Sequence, residues 1–211
     1  MEIISFDVLD STQKYLIKEL EANRLQAPVA IIAFEQNSGI GSRDNKWFGA
    51  KGNFFASISV KLEDLPDDLL LFSASIYFSF IMKETLNKLG ENIWLKWPND
   101  LYRDDEKIGG IITKKVNDNL VCGIGINLKN IPNGYRALQN DIEPKVLLHN
   151  YLQDLEKFPK WKQIFSKFEI EFELSRKFSV HIENYQKSLV AATLQADGSL
   201  TIKGERVYSL R

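Results

Sequence analysis

The sequence predicts an α+β protein in which a mixed, largely antiparallel sheet is backed by helices. Residues 53–62 alternate between apolar and polar side chains, which is typical of a β-strand with one buried face. The turn NDN joins two further strand-like runs and indicates an antiparallel hairpin. Apolar and amphipathic segments elsewhere supply the helices that cover the sheet. With 211 residues and 44% hydrophobic content, the chain is long enough for one well-buried core.

The individual elements follow from apolar runs and from the residues that interrupt them. Strands are expected at residues 3–8, 27–36, 53–62, 92–97, 107–116 and 120–129. Helices are expected at about residues 11–24, 67–89, 144–158 and 160–175. Asp10, Ser11 or Thr12 can cap the first helix, and Gly90 is suited to end the second.

The C-terminal part has a different character from the rest of the chain. Short β-runs are separated by DG and KG turns, which predicts a small β-meander. We therefore expect two units, a core over residues 1–178 and a small C-terminal β domain over residues 179–211.

Composition excludes several classes of protein. A net charge of -1 gives no argument for a nucleic-acid partner, which usually requires a basic face. The single cysteine, Cys122, cannot form an intramolecular disulfide, and His149 and His181 lack partners at zinc-binding spacing. The N-terminus has no signal-peptide pattern, and the most apolar run, 69–82, is shorter than the roughly 20 residues that span a bilayer. We expect a cytoplasmic protein.

The stretch GIGSRDNKW, residues 39–47, lies in a long loop between two predicted strands. It lacks the third glycine of G-x-G-x-x-G, because Asp44 occupies that position, and it lacks the G-K-[ST] of a P-loop. From its residues alone, this stretch is either a binding loop for a phosphate or a plain surface loop.

The segment WLKWPNDLYRDDEKIGG, residues 94–110, carries more chemical information. Pro98 forces a turn, and the oxygen atoms of Asn99 and Asp100 suit Mg²⁺ held together with substrate phosphates. Lys107 precedes Gly109 and Gly110, which let a ligand approach the backbone closely. The alternative is an ordinary hairpin with solvated charges at its tip. The glycines of GIGIN, residues 123–127, likewise indicate close approach by a ligand or a tight strand crossing.

The order of these motifs resembles the catalytic core of biotin–protein ligases, the biotin–acetyl-CoA-carboxylase ligases. The matching segments are LDST at 9–12, EQ with the glycine loop and a tryptophan at 35–53, KWPNDL at 96–101 with K and GG at 107–110, and GIGIN at 123–127. The resemblance implies a core like that of class II aminoacyl-tRNA synthetases, and the tail resembles the family's SH3-like domain in abbreviated form. Since LDST begins at residue 9, we expect a monofunctional form without a DNA-binding winged helix.

The resemblance also implies roles for individual residues. Lys107 corresponds to the catalytic lysine beside the biotin carboxylate and the α-phosphate, and Arg43 is the expected catalytic cation of the loop. The implied biotin-binding residues are Ser11, Thr12, Gln13, Gln36, Gly41, Ser42, Lys107, Gly110 and Gly123. The implied nucleotide-binding residues are Arg43, Asn45, Lys46, Trp47, Lys96, Asn99, Asp100 and Asn127. Asp100 and Asn99 are the implied Mg²⁺ ligands.

One departure from the family pattern concerns the loop. Many members have arginines at its second, fourth and seventh positions, where this chain has Ile40, Ser42 and Asn45. A variant pattern has arginine fifth and asparagine seventh, which Arg43 and Asn45 match. Arg43, helped by Lys46, is therefore the expected phosphate contact of a loop that covers the adenylate.

The implied activity is ATP-dependent formation of biotinyl-5′-AMP, followed by transfer of biotin to a lysine of a biotin carboxyl carrier domain. Biotin, ATP with Mg²⁺ and that carrier domain are the implied partners, and some members form homodimers. The alternatives are a lipoate–protein ligase with the same core fold, a biotin-sensing regulator and a non-catalytic binding module. KWPND and GIGIN favour biotin over lipoate, and the retained Lys107 and Asp100 favour an enzyme.

Overall fold

A computed structural model describes residues 1–41, 45–129, 136–182 and 185–208 of the chain. Its centre is a seven-stranded sheet in which β1 and β2 are parallel and every other neighbouring pair is antiparallel. Across the sheet the strands are β1 (Glu2–Phe6), β2 (Val29–Ala33), β5 (Phe54–Lys61), β9 (Asn119–Ile126), β8 (Glu106–Val116), β7 (Asp100–Arg103) and β6 (Trp94–Lys96). The predicted mixed, largely antiparallel sheet is confirmed.

Helices cover both faces of this sheet. They are α1 (Thr12–Glu21), α2 (Ala74–Lys88), α3 (Pro144–Leu155) and α4 (Trp161–Glu171). On one face Leu16 and Leu20 of α1 pack with Val29 and Ile31 of β2. The intervening Ala30 and Ile32, together with α2, α3 and α4, belong to a larger cluster on the other face. The alternation of β2 side chains therefore divides two hydrophobic layers, as the strand period of two requires.

The first helix begins where its capping residues predicted. Ser11 has an extended backbone, and its hydroxyl accepts a hydrogen bond from the amide of Lys14 at 3.4 Å. A side-chain oxygen in this position satisfies an amide that has no partner within the first turn. This cap also places Ser11, Thr12 and Gln13 at one end of the helix, above the middle of the sheet.

Several details differ from the sequence prediction. The helix expected from residue 67 begins only at Ala74, after a 3₁₀ turn at Leu71–Ser73, although it ends before Gly90 (φ +90°) as predicted. β7 was not predicted as a separate strand, since its four residues follow the Pro98 turn directly. The serines of β5 are also buried, because α1 covers the face that was expected to be polar.

Three smaller sheets complete the described structure. β3 (Gly39–Ile40) and β4 (Lys46–Trp47) form a short hairpin, and β10 (Ser179–Ile182) pairs with β11 (Tyr185–Ser188). The predicted C-terminal meander contains β12 (Thr193–Leu194), β13 (Leu200–Ile202) and β14 (Glu205–Val207). Its buried side chains share the larger hydrophobic cluster with α2 and α4, and a domain boundary at residue 178 stays a prediction. Within the described ranges, no helix has the length and apolar character needed to cross a membrane.

Candidate active site

A cavity of about 410 Å³ opens between the β3–β4 hairpin, the start of α1 and strands β7 to β9. Thirteen of the residues predicted for the site line it: Ser11, Thr12, Gln13, Gln36, Gly41, Asn45, Lys46, Trp47, Asn99, Asp100, Lys107, Gly110 and Gly123. Segments far apart in the chain are therefore brought to one place, as the motif order predicted. Ser42 and Arg43 lie outside the described residues, so their predicted roles stay predictions.

One end of the cavity is a network of neutral hydrogen bonds. The side-chain oxygen of Gln36 accepts hydrogen bonds from the Thr12 amide at 2.8 Å and from the Thr12 hydroxyl at 3.2 Å. The Ser57 hydroxyl donates to the Thr12 hydroxyl at 2.9 Å. A backbone N–H can only donate, so the Gln36 oxygen must face Thr12 and its amide NH₂ must point elsewhere. Sequence reasoning missed Ser57, which the alternation placed on the polar side of its strand.

The other end of the cavity is charged. The Asp100 carboxylate accepts from the Lys107 ammonium at 2.5 Å and from the Lys96 ammonium at 3.4 Å. Burial disfavours the ionised carboxylate, but the charges of Lys107 and Lys96 outweigh it and hold the pKa of Asp100 below its ordinary value. The carboxylate is therefore ionised at neutral pH and fixes the orientation of Lys107. Lys96 reaches the site through Asp100 and is not among the residues that line the cavity.

The predicted magnesium pair is occupied by protein groups. The two oxygens of Asp100 each face a lysine, and the Asn99 amide nitrogen donates to the Ile111 carbonyl at 2.6 Å. Among the described residues, no group of three His, Cys, Asp or Glu side chains could hold a metal ion. This donor set does not fit a resident Mg²⁺ site, because a single carboxylate shared by two ammonium groups is a poor ligand for a divalent cation.

The glycines of β9 make room for side chains from two other elements. A Cβ added at Gly125 would lie 2.6 Å from Cε2 of Trp47, so only glycine lets the indole lie against the strand. A Cβ at Gly123 would lie 3.1 Å from the Gln13 side chain. The groups that approach these two glycines in this structure are protein side chains, and close approach by a ligand stays a prediction. The Lys107 ammonium lies 5.8 Å from the centre of the Trp47 ring.

The described residues on the two sides of the predicted loop pair with each other. The Gly41 amide donates to the Asn45 carbonyl at 2.6 Å, and Gly39 pairs with Trp47 across the two strands. The indole N–H of Trp47 is buried and has no hydrogen-bond partner among the described residues. An unpaired buried donor is costly, so this N–H is a candidate contact for a bound ligand.

Asn127 was predicted to contact the nucleotide, yet it does not line the cavity. Its backbone amide donates to the Ile108 carbonyl at 2.8 Å, and its side-chain amide donates to the Arg136 carbonyl at 3.3 Å. The Arg136 amide in turn donates to the Lys107 carbonyl at 3.2 Å. In this structure Asn127 therefore ties Arg136 to the strand that carries Lys107, and its contact with the nucleotide stays a prediction.

Several cavity residues were missed in the sequence. They are mostly apolar: Ile40, Ile111, Ile112, Ile124 and Gly125. For Ile112 the strand pattern was the available signal, since it shares a face with Gly110, whereas Ile111 and Ile124 belong to the larger hydrophobic cluster on the other face. Cys122, in contrast, is buried between neighbouring strands, and burial raises the pKa of its thiol, which fits the predicted structural role.

Comparison with known proteins connects this site to a family. The family model described as "Biotin/lipoate A/B protein ligase family" matches residues 5–129, which contain every cavity-lining segment. The chain belongs to this family. The predicted resemblance is thereby confirmed, and the polar pocket with its lysine lies within the matched residues.

Curated relatives of this ligase family include two bacterial proteins. The bifunctional ligase/repressor BirA of Escherichia coli (strain K12) is 38% identical over 128 residues, covering 57% of this chain and 39% of the relative. BirA of Bacillus subtilis (strain 168) is 29% identical over 149 residues, covering 66% and 44%. The match thus spans less than half the length of these curated relatives.

Solved ligase structures match almost the whole chain. The biotin acetyl coenzyme A carboxylase synthetase from Helicobacter pylori, with bound biotinylated ATP, superposes with a TM-score of 0.94 at 38% identity, covering 98% of this chain and 99% of that one. The biotin protein ligase from Aquifex aeolicus, in complex with biotin and ATP, gives a TM-score of 0.78 at 22% identity, covering 100% and 96%. The Aquifex likeness shows the shared fold, which bears out the predicted fold class.

Proposed function

We propose that this chain is an ATP-dependent biotin–protein ligase that forms biotinyl-5′-AMP and transfers biotin to a lysine of a biotin carboxyl carrier domain. The observation that carries the proposal is the cavity, which has neutral hydrogen-bonding groups at one end and the Lys107 ammonium at the other. Biotin has the same polarity, with a neutral ureido ring at one end and a carboxylate at the other. The Helicobacter structure, named for a biotinylated nucleotide, supports the same ligand class.

The neutral end suits a ureido group, which has one carbonyl acceptor and two N–H donors. Because Thr12 occupies the Gln36 oxygen, Gln36 presents its NH₂ group to the ligand. The Ser11 hydroxyl accepts from the Lys14 amide and keeps its own proton for donation. Ile112, which shares a face of the sheet with Gly110 and Gly123, gives apolar surface for the sulfur-containing ring and the aliphatic chain.

Lys107 supplies the positive charge for adenylate formation. A biotin carboxylate oxygen attacks the α-phosphorus of ATP, the bond to pyrophosphate breaks, and an acyl phosphate is formed. Negative charge develops on the α-phosphate oxygens, and Lys107, oriented by Asp100, stabilises it with its remaining N–H groups. One preorganised donor of this kind contributes about 10²–10³ in rate.

Transfer requires no nucleophile from the enzyme. The amine of the acceptor lysine attacks the acyl carbon, AMP leaves with the anhydride oxygen, and an amide is formed. This agrees with the inert, buried Cys122 and with the absence of a nucleophile–histidine pair along the cavity lining of the described residues. Positioning of the two reactants and electrostatic stabilisation account for catalysis.

Mg²⁺ enters this proposal as part of the substrate MgATP, held by phosphate oxygens, because both Asp100 oxygens pair with lysines. The carrier-domain partner, cytoplasmic localisation and homodimerisation belong to the same proposal. The lipoate alternative shares the family model, but both solved structures reported above carry biotin in their names.

Pyrophosphate exchange into ATP tests the function. We expect exchange that depends on biotin and not on lipoate, and a loss of about 10²–10³ in Lys107→Ala. Lys114→Ala is the matched control, since Lys114 is exposed on the same strand and lies outside the cavity. Exchange only with lipoate, or none with either acid, would show that the proposal is wrong.

A further inference from the structure

The turn between β6 and β7, which carries Asn99 and Asp100 into the cavity, is held from behind by Trp97. The Trp97 side chain is 1% exposed and does not line the cavity. Its backbone amide donates to the Ser175 hydroxyl at 3.1 Å. Its indole N–H donates to the carbonyl of Gly198 at 2.8 Å, across 101 positions of sequence.

The Gly198 carbonyl belongs to a row of three carbonyls that all accept from the core. The Trp161 indole N–H donates to the Ala196 carbonyl at 2.9 Å, and the Ser73 hydroxyl donates to the Asp197 carbonyl. Gly198 has a φ of +81°, and an added Cβ would lie 2.9 Å from Cδ1 of Ile76 and 3.1 Å from the Trp161 ring. The turn formed by residues 196–198 is therefore fitted closely into the core beside Trp97.

The same turn is braced from its outer side. The Asp197 carboxylate accepts from the Ser199 amide at 3.1 Å and the Ser199 hydroxyl at 2.6 Å, and it pairs with Arg206 at 2.5 Å. The Gly198 amide donates to the Gln195 carbonyl at 2.8 Å. A turn held on both sides is rigid enough to position a group that depends on it.

We infer that the turn at residues 196–198 is a positioning support for the catalytic turn at residues 97–100, and that Gly198 acts through the Trp97 indole. Only Pro98 separates Trp97 from Asn99 and Asp100, so a shift of Trp97 moves the carboxylate that orients Lys107. The kinetic consequence of this inference rests on the proposed function. A misplacement of about 1 Å in such a site costs about 10²-fold in rate.

Two tryptophans make a matched pair of variants. Trp97→Phe and Trp161→Phe each remove one indole N–H that donates to a carbonyl of the same turn. Only Trp97 also belongs to the turn that carries Asn99 and Asp100 into the site. With rates normalised to folded protein, we expect Trp97→Phe to lower kcat for biotin-dependent pyrophosphate release at least tenfold, with KM for biotin within about twofold. Trp161→Phe should keep kcat within about twofold of the wild type. Equal kcat values for the two variants would overturn the inference.

Two further measurements keep the inference testable. If Trp97→Phe does not fold, Gly198→Ala replaces it, with Ser73→Ala as the control that loses a different bond of the same turn. An unchanged kcat in Gly198→Ala would then overturn the inference. Amide hydrogen exchange over residues 97–103 can be measured without substrate. Exchange should be faster in Trp97→Phe than in Trp161→Phe. Equal exchange rates would contradict the inference that the turn at residues 196–198 supports the catalytic turn. Absence of biotin turnover in the wild type would contradict the proposed function alone.

Discussion

At this site, the space left by residues without a side chain matters as much as the groups that form hydrogen bonds. Gly125 has no side chain, and the Trp47 indole occupies that space next to Lys107. The hydrogen bonds from Thr12 fix the orientation of the Gln36 side-chain amide, so its NH₂ group is left as a donor. The chemistry of the cavity therefore depends on small residues and on hydrogen bonds that carry no charge.

At the residue scale, Gly125→Ala should weaken binding of the adenylate about tenfold. The new methyl group meets the Trp47 ring, and inserting atoms into a packed contact costs about 1–3 kcal/mol. Calorimetric titration with a non-hydrolysable biotinyl-adenylate analogue measures the loss. In a Trp47→Ala background the same substitution should add little, since the clash is gone. A full additional tenfold loss in that background would contradict the explanation.

Elements are fixed to one another by polar contacts at their ends. α4 begins after the exposed Lys160, and its first amides are capped by a residue from another segment. The Asp68 carboxylate accepts from the Trp161 amide at 2.9 Å and the Lys162 amide at 3.0 Å. This negative group at a helix N-terminus accepts from amides that have no partner within the helix, and it interacts favourably with the helix dipole.

At the element scale, Asp68→Ala should lower the free energy of unfolding by about 1 kcal/mol at pH 7. Slight burial opposes ionisation, but the hydrogen bonds from the Lys162 and Trp161 amides outweigh it and lower the pKa of Asp68. A depressed pKa gives stability that is present above the unfolded value of about 3.9 and is lost as the pH falls through the folded pKa. The difference between Asp68→Ala and the wild type should therefore shrink in acid.

Urea denaturation at pH 7 and near pH 3 measures this difference. Asp67→Ala is the control, because Asp67 is the exposed neighbour and its contact with Lys160 is long, at 3.7 Å. A surface ion pair of this kind contributes little. A pH-independent difference for Asp68→Ala would show that its charge does not act as a cap.

The whole molecule is organised around β9, which lies between β5 and β8 with Cys122 facing the larger cluster. Helices pack on both faces, and the C-terminal meander contributes to the same cluster as α2 and α4. Exposure of the centre of this sheet therefore requires that most of the core open at once. The buried thiol is a natural reporter of such an opening.

At the scale of the molecule, Cys122 should not react with an aromatic disulfide reagent in the native state and should react once per chain in denaturant. Burial raises the pKa of the thiol and blocks access to it. Biotin with MgATP should slow the residual native reaction further, since ligands that bind only the folded state stabilise it. Absorbance of the released thiolate measures the rate. Rapid native labelling would show that β9 opens locally.

Much of the site could be predicted from local sequence, because its residues occur in short motifs with restrictive types and spacings. Pro98, Asn99, Asp100 and Lys107 predict a charged turn followed by a strand, and Ser11 predicts a helix start. The pairing of Asp100 with both Lys107 and Lys96 was not predictable in the same way, because these contacts form only after β6, β7 and β8 are paired. The position of Asn127 away from the cavity likewise depends on the segment at Arg136.

The sequence by itself determined the α+β class, most strands and helices, and the family, since these depend on local periodicity, turn residues and motif order. Only the tertiary structure decided that Trp47 fills the space over Gly125, that Thr12 orients Gln36, and that Gly198 supports Trp97. These contacts join residues from 24 to 101 positions apart. No local pattern encodes such pairs, because their geometry is set by how helices and loops pack on the completed sheet.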